Sequence, residues 1–176
     1  MDRLIEQFIR EPEREFHVRE ISKMLKKSPT TVSKYLKEYE KERILKSQKK
    51  LNHLLFKANT NDPVFKQIKL NHNLSTLHKS GLIDYLKEKF NHPEAIILFG
   101  SFAKAENTVK SDIDILVITS SKKDTELKDF EKKLGLPIQL HIYSNKDIET
   151  MKVKNKNLLN NLVNGIVLSG YWELFK

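Results

Sequence analysis

GSFAKAENTVKSDID, residues 100–114, is the stretch that decides how the C-terminal two-thirds of this chain folds. The apolar run before it, residues 94–99 (EAIILF), is typical of a buried strand that ends at a glycine. The chain then continues as DIDILVI, residues 112–118, which predicts a second strand with acids at its start. The stretch therefore indicates a strand, a tight glycine turn, a short helical segment and a second strand.

Two aspartates open the second of these strands. Residues i and i+2 of a strand point to the same face, so Asp112 and Asp114 share one face while Ile113 and Ile115 turn to the buried one. Acids at the start of an apolar strand are unfavourable unless a metal ion or hydrogen bonds satisfy them. Because the chain has no cysteine, carboxylates, histidines or phosphate oxygens must hold any metal, which favours a hard cation such as Mg²⁺.

The glycine and serine that begin the stretch are suited to binding a phosphate. Gly100 lets the backbone approach a phosphate closely, while the Ser101 hydroxyl and the amides of a helix N-terminus can donate hydrogen bonds to it. Transfer of a nucleotidyl group requires such a cradle, together with divalent cations that neutralise the triphosphate. The turn and the acid pair are therefore expected to serve one ligand. The alternative is a chance strand-turn-strand with exposed acids.

A glycine-serine pair followed ten residues later by Ser-Asp-x-Asp is similar to the signature of the DNA polymerase beta-like nucleotidyltransferase superfamily. The nearest resemblance is to the minimal nucleotidyltransferases of archaea and bacteria, whose pattern reads roughly GSxARGExxxxSDIDLLV. The chain matches this pattern at Gly100, Ser101, Ala103, Glu106, Ser111, Asp112, Ile113, Asp114, Leu116 and Val117. More loosely, the resemblance extends over residues 62–176, including the NGIVLSG segment near the end.

The resemblance implies an α/β (α+β) domain with a small mixed sheet covered by helices. It also implies a role for each matched side chain. Asp112 and Asp114 would be catalytic and would bind Mg²⁺, and the nucleotide would be bound by Gly100, Ser101, Lys104 and Ser111. The implied reaction moves a nucleoside monophosphate from ATP or another nucleoside triphosphate to a hydroxyl on a protein, nucleic acid or small molecule.

Two departures from the family pattern leave the activity open. Lys104 and Ala105 stand where the family usually has arginine and glycine. Active members also present a third carboxylate from a neighbouring strand, but the predicted strand IQLHIY, residues 138–143, offers only Gln139 and His141 as replacements. The alternative function is therefore a DNA-binding regulator, or an antitoxin-like protein with a toxin partner, whose nucleotidyltransferase fold is weakly active or inactive.

The N-terminal third is basic and mostly helical. Residues 1–60 hold fifteen Lys and Arg against nine Asp and Glu, whereas the other 116 residues hold 17 against 14, which suggests a polyanionic partner. Apolar spacing predicts a short amphipathic segment that stops near Pro12, a helix from His17 to Lys27 and a third helix to about Arg43. Ser28-Pro29 caps the third helix, and short strands follow at residues 44–46 and 54–57.

This order of elements resembles a winged helix-turn-helix domain over about residues 1–58. The resemblance implies that duplex DNA is bound by Thr30, Thr31, Ser33, Lys34 and Lys37 on the second helix of the pair and by Lys49 and Lys50 on the wing. Winged repressors usually bind two-fold sites as dimers, which implies a homodimer. The alternative is a helical dimerisation module with a solvated basic face.

The polar segment Asn59–Pro63 predicts a boundary between domains at residues 1–60 and 61–176. A long helix over residues 64–90, with a break at Gly81, should then cover one face of the sheet. Trp172 and Phe175 are expected to be core or interface residues. The chain has no apolar run long enough to cross a bilayer and no secretory signal, so a cytoplasmic protein that does not bind membranes is expected.

Overall fold

The computed structural model of the chain describes residues 3–51 and 53–174. The chain divides into two compact units, residues 1–69 and 70–176. In the described part, no helix is both long and apolar enough to pass through a membrane. Each unit has its own hydrophobic core.

The first unit is a small antiparallel sheet against which helices pack. Its described elements are α1 (Arg3–Arg10), β1 (Phe16–His17), α2 (Val18–Leu25), α3 (Pro29–Lys41), β2 (Leu45–Lys50) and β3 (His53–Ala58). The strands lie in the order β1-β3-β2. Phe8, Phe16 and Phe56 are fully buried at the centre of its core. The strand β1 was not predicted, because two residues are too short to show a periodic pattern.

Helix α3 begins as the sequence predicts. Ser28 is its N-cap and accepts a hydrogen bond from the Thr31 backbone N–H at 3.2 Å, with proline in the first turn. The apolar spacing of the sequence predicts that Met24 on α2 and Tyr35 on α3 face inward, but this is wrong, since Met24 is 45% exposed and Tyr35 is 36% exposed. Ser22 turns inward instead, because its hydroxyl donates to the Lys27 carbonyl where the chain leaves α2.

The second unit is a four-stranded mixed sheet with helices on both faces, which agrees with the small mixed sheet covered by helices that the resemblance implies. Helix α4 (Pro63–Ser80) begins in the first unit and ends in the second. The described elements after it are α5 (Leu82–Lys89), β4 (Ala95–Phe99), α6 (Gly100–Ala103), β5 (Ile113–Ile118), α7 (Lys128–Leu134), β6 (Ile138–Tyr143), α8 (Asn145–Lys154), α9 (Lys156–Val163) and β7 (Ile166–Gly170). The strand order is β6-β5-β4-β7, and only β5 and β6 among the described pairs run parallel. The break at Gly81 is confirmed, since this residue has φ 81 and separates α4 from α5.

The two faces of this sheet belong to different clusters of apolar side chains. Ile113, Ile115 and Val117 pack with α5 on one face, while Leu116 and Ile118 pack with α8 and α9 on the other. Because side chains alternate along β5, the two aspartates at its start lie on the α8–α9 face. Trp172 is partly buried against the same cluster, and Phe175 lies outside the described residues.

The polar segment between the predicted domains is ordered by hydrogen bonds to the connection between α3 and β2. The Asn59 backbone N–H donates to the Ile44 carbonyl at 3.0 Å, and its side chain donates to the Arg43 carbonyl at 2.9 Å. Asp62 is 8% exposed and accepts a hydrogen bond from the Val64 N–H at 2.9 Å, which caps α4. The first turns of α4 then pack in the first core, so the division between the units falls at Lys69.

The cap at Asp62 gives a stability prediction. Asp62→Ala should lower the free energy of unfolding of the first unit by about 1–2 kcal/mol, because the Val64 N–H loses its acceptor. Asp62→Asn keeps an acceptor oxygen and should lose less. The ion pair with Arg43, whose side chain is 78% exposed, should contribute less than about 1 kcal/mol. Urea unfolding of the three proteins measures these differences, and equal losses for Asn and Ala would contradict the cap.

Candidate functional site

The turn at Gly100 and the acid on β5 occupy the same small space. Strands β4 and β5 pair antiparallel with Phe99 opposite Asp114, so the chain reverses beside the carboxylate immediately after β4. Gly100 has φ +71, and a Cβ atom built on it would lie 2.1 Å from Asp114 Oδ2. Glycine is therefore required twice at this position, for the left-handed backbone conformation and for the space that the carboxylate fills.

The acid pair contacts the strand β6 through Gln139. The parallel register of β5 and β6 places Gln139 beside Asp114, and its Nε2 donates to Asp112 Oδ2 at 2.6 Å. Burial raises the pKa of Asp114, the nearby His141 opposes that shift, and the negative charge of Asp112 adds to it. The net shift is upward, which means that the surrounding protein supplies too little positive charge to compensate the Asp114 carboxylate.

His141 lies on the same face but among aromatic rings. Its ring centroid is 5.2 Å from that of Phe99 and 6.2 Å from that of Tyr143. Of the two side chains that the sequence offers in place of a third acid, Gln139 is thus the one hydrogen-bonded to the acid pair. His141 acts on Asp114 through its charge.

The segment between the glycine and the aspartates is held by its own hydrogen bonds. The Glu106 N–H donates to the Ser101 carbonyl at 2.9 Å, and the Thr108 N–H donates to Ser111 Oγ at 2.9 Å. The Ser111 hydroxyl, predicted to bind nucleotide, is therefore used to shape the turn that precedes the acids. Lys104 is exposed, and Ala105 has φ 57, the conformation that the family's glycine adopts without strain.

A buried asparagine that the sequence did not single out also holds this segment. Asn73 on α4 is 2% exposed, and its Nδ2 donates to the Phe102 carbonyl and to Asn107 Oδ1, both at 2.9 Å. The signal that could have found it is an asparagine at helical spacing from Leu70 and Leu77, on a face that otherwise packs into the core.

The donor atoms at the acid pair fit a magnesium ion that takes its remaining ligands from a nucleotide. Within the described residues, no group of three or more His, Cys, Asp or Glu side chains converges as a complete metal site. Proteins commonly bind Mg²⁺ through one or two carboxylates together with substrate phosphates and water. Asp112 and Asp114 supply two such carboxylates, and the under-compensated charge of Asp114 favours a cation there.

Four residues predicted to bind DNA come together on the first unit. Thr30, Ser33, Lys34 and Lys37 line a shallow depression of about 640 Å³, which also includes His17 at the end of β1 and Arg19 in the first turn of α2. The sequence did not single out those last two residues, which precede or begin a helix without any distinctive spacing. The depression has a cationic border and hydroxyl groups along α3.

The other predicted DNA contacts are arranged differently. The Thr31 hydroxyl lies 2.8 Å from Ser28 Oγ, so it belongs to the cap of α3. Lys50 contacts both carboxylate oxygens of Glu15 at 2.9 Å, while Lys49 is exposed near the end of β2. The hairpin therefore presents Lys49 to solvent and uses Lys50 in an ion pair.

A separate depression of about 710 Å³ lies at the far end of the mixed sheet. Its lining includes Ile118 at the end of β5, Thr119, and Ser144 after β6, whereas the acids lie at the start of β5. None of the predicted site residues lines it. Its size alone does not mark it as the site, because the chemistry is at the opposite end.

Comparison with known proteins agrees with the geometry of the second unit. The family model described as "Polymerase beta, Nucleotidyltransferase" matches residues 80–170, more than half of the chain. The chain belongs to this family. No curated protein matches it. The match includes the Gly100 turn, both aspartates and the strand that carries Gln139, so the nucleotidyltransferase assignment is confirmed for this part. The winged helix of the first unit stays a prediction.

Because Gly100 contacts Asp114 in this nucleotidyltransferase domain, replacing Gly100 with alanine should lower the stability more than replacing Gly135 does. Gly135 has φ +72, and a Cβ atom added to it would have no other atom within 4 Å, so Gly135→Ala should cost about 1 kcal/mol of backbone strain. Gly100→Ala has the same backbone strain plus the clash with Asp114, and should cost about 3 kcal/mol.

A double substitution isolates the contact. Asp114→Ala removes the carboxylate that the new Cβ would meet, so Gly100→Ala should cost no more in that background than Gly135→Ala does. Denaturant unfolding of the single and double variants gives the four free energies. A Gly100→Ala penalty that is unchanged in the Asp114→Ala background would show that the clash is not with this side chain.

The raised pKa of Asp114 predicts how stability depends on pH. The Asp114 carboxyl group keeps its proton to a higher pH in the folded state than in the unfolded chain. Protonation of Asp114 therefore adds most to the free energy of unfolding below the unfolded pKa, and this contribution is lost as pH rises through the folded pKa. Asp114→Asn should therefore melt at a higher temperature than wild type at pH 7 without divalent ions. The difference should shrink as pH falls through the folded pKa and should be smallest below the unfolded pKa of about 4.

The matched control is Asp124→Asn, since Asp124 is an exposed carboxylate in the same unit. Its melting temperature should follow that of wild type across the same pH range. A lower melting temperature for Asp114→Asn at pH 7 would contradict the unfavourable charge.

Proposed function

We propose that the second unit transfers a nucleoside monophosphate from a nucleoside triphosphate, with ATP as the first candidate, to a hydroxyl acceptor. The observation that carries the proposal is the close packing of the Gly100 turn against Asp114, beside Asp112. A turn suited to phosphate and a pair of carboxylates thus lie at one point, which nucleotidyl transfer requires.

Each side chain in this proposal has a role that follows from its position. Gly100 brings the backbone close to the triphosphate, and Ser101 offers a hydroxyl and an N–H at the start of the α6 turn. Asp112 and Asp114 would hold Mg²⁺, which when bound neutralises the triphosphate and polarises the phosphorus under attack. Lys104 is exposed at the end of the turn and can neutralise a further phosphate charge.

The acceptor oxygen forms a bond to the α-phosphorus, the bond to the bridging oxygen breaks, and pyrophosphate leaves. The acceptor proton must go to a base. Gln139 is neutral and has no capacity to take it, although it is hydrogen-bonded to the acid pair. Proton removal therefore falls to His141 on the same face of the sheet, to water or to a group on the acceptor, and we expect slow transfer.

The proposal is tested with labelled ATP, Mg²⁺ and candidate protein, nucleic acid and small-molecule acceptors. Wild type should label an acceptor, and Asp112→Ala should not. Gln139→Glu introduces a third carboxylate and should raise the transfer rate by about 10²-fold, the usual contribution of a positioned base.

The Gln139→Glu variant also has a readout that does not depend on activity. Three nearby carboxylates should lower the melting temperature without divalent ions, and Mg²⁺ should restore more stability to this variant than to wild type. No difference in the response to Mg²⁺ would show that Gln139 does not face the metal position.

For the first unit we propose a winged helix-turn-helix that binds duplex DNA as a homodimer. In support, Thr30, Ser33, Lys34 and Lys37 share one face of α3, with Arg19 beside them. Lys49 is exposed on the β2–β3 hairpin, the predicted wing. Lysines neutralise phosphates with release of counterions, so binding should fall steeply as salt rises.

Replacing Lys34 and Lys37 together with alanine should weaken duplex binding and reduce the slope of log affinity against log salt by about 2. The control, Lys128→Ala with Lys132→Ala on α7, removes the same net charge from the second unit and should leave the slope unchanged. Fluorescence anisotropy with a labelled duplex at several salt concentrations measures both. Equal losses in the two double variants would indicate only a net-charge effect.

A second candidate function is favoured by one observation. The Gln139 amide is bonded to Asp112 where a third acid would help catalysis, which suits a DNA-binding regulator that senses nucleotide or binds a toxin partner without transfer. In that case Mg²⁺ and ATP should still bind, while wild type and Asp112→Ala should show equal background transfer.

A further inference from the structure

We infer that Asn73 is a positioning residue for the nucleotide, acting through the segment from Gly100 to Asn107. The inference rests on the proposed nucleotide site. Asn73 lies on α4, more than twenty residues before the signature stretch, and no matched motif position includes it. Its role follows from what it touches.

Both hydrogens of the Asn73 amide are used on the same segment. Nδ2 donates to the Phe102 carbonyl at 2.9 Å and to Asn107 Oδ1 at 2.9 Å. Phe102 belongs to α6, which starts at Gly100, and Asn107 comes directly after the Glu106 amide that closes the turn onto Ser101 at 2.9 Å. One side chain therefore ties the helical turn to the loop that leaves it.

The burial of this amide sets it apart from a surface contact. Asn73 is 2% exposed, Asn107 is 8% exposed and Phe102 is 4% exposed, so the bonds form where water competes little. An amide placed on a core-facing side of a helix is unfavourable unless it is hydrogen-bonded, and an apolar residue would fill the same space without that requirement. We therefore infer that Asn73 serves to hold the segment from Gly100 to Asn107 in one position.

The segment requires such support because its backbone is unusual at both ends. Gly100 has φ +71 against the Asp114 carboxylate, and Ala105 has φ 57 without being glycine. A four-residue helix is too short to hold its own shape, since helix formation has a costly nucleus. Asn73 thus keeps the Ser101 hydroxyl and N–H in place for the phosphates, although it does not touch them.

The test compares two buried polar residues on the same helix in the full-length chain. Asn73→Leu keeps the branched shape and the number of heavy side-chain atoms, and it removes both donors. The control is Ser80→Ala, since Ser80 is 8% exposed and its hydroxyl donates to the Leu77 carbonyl at 2.7 Å without touching the segment. Asn73→Ser, which is too short to reach either acceptor, is the milder variant if Asn73→Leu does not fold.

Titration calorimetry with Mg²⁺ and ATP gives the first readout. We expect roughly a tenfold or greater loss of affinity for Asn73→Leu or Asn73→Ser, as for a displaced positioning contact, and an affinity within about twofold of wild type for Ser80→Ala. Wild-type affinity in the Asn73 variants, or an equal loss in Ser80→Ala, would overturn the inference.

Hydrogen exchange at the Glu106 amide gives the second readout and separates the two proposals. This amide, bonded to the Ser101 carbonyl, should exchange faster in the Asn73 variants and at an unchanged rate in Ser80→Ala. If wild type binds no nucleotide, the proposed function fails, and this exchange rate still decides whether Asn73 holds the segment. An unchanged Glu106 rate in the Asn73 variants would overturn the inference on its own.

Discussion

The packing of the Asp114 carboxylate against the backbone of Gly100 is the constraint on which the rest of the second unit depends. It exists because β4 and β5 pair antiparallel with Phe99 opposite Asp114, so the turn that leaves β4 must pass over the acid. A Cβ atom at this position would force the Asp114 carboxylate to move, and Gly100 has the left-handed backbone that glycine adopts without strain. Gly100 and Asp114, which are separate positions of the family pattern, are thus in direct contact in the fold.

This feature also determines the electrostatics of the site. The turn helps to bury Asp114, and burial raises its pKa while Asp112 adds a second negative charge nearby. His141 compensates only in part, and the Gln139 amide satisfies Asp112 without adding charge. The acid pair supplies two carboxylates of the kind that a cation with phosphate ligands takes, and β6 places the neutral Gln139 beside them rather than a third acid. Family membership and catalytic power are therefore separate questions for this chain.

Much of this could be predicted from local patterns of sequence. The strand that ends at Gly100, the alternation that puts both aspartates on one face, and the Ser28 cap of α3 follow from rules that act over a few residues, and the structure has them. The mixed sheet could be predicted only from the family resemblance, because no local sequence pattern shows which distant strands pair with one another.

Contacts across long sequence distances were not predictable in the same way. Asn73 and Asn107 are 34 residues apart, and neither residue type nor spacing pairs them. The inward turn of Ser22 in place of Met24 depends on a hydrogen bond to the chain beyond α2, which a helical wheel does not contain. Gln139 was named from its place on β6, but its bond to Asp112 follows from the register between two parallel strands.

The measurement that tests the account most directly is calorimetric titration of wild type, Asp112→Ala and Gly100→Ala with ATP in the presence and absence of Mg²⁺. We expect wild type to bind ATP only when Mg²⁺ is present, and we expect each substitution, made in a chain that still melts cooperatively, to remove this Mg²⁺-dependent binding. ATP binding that is the same with and without Mg²⁺, or that survives both substitutions, would contradict a single site built from the glycine turn and the acid pair.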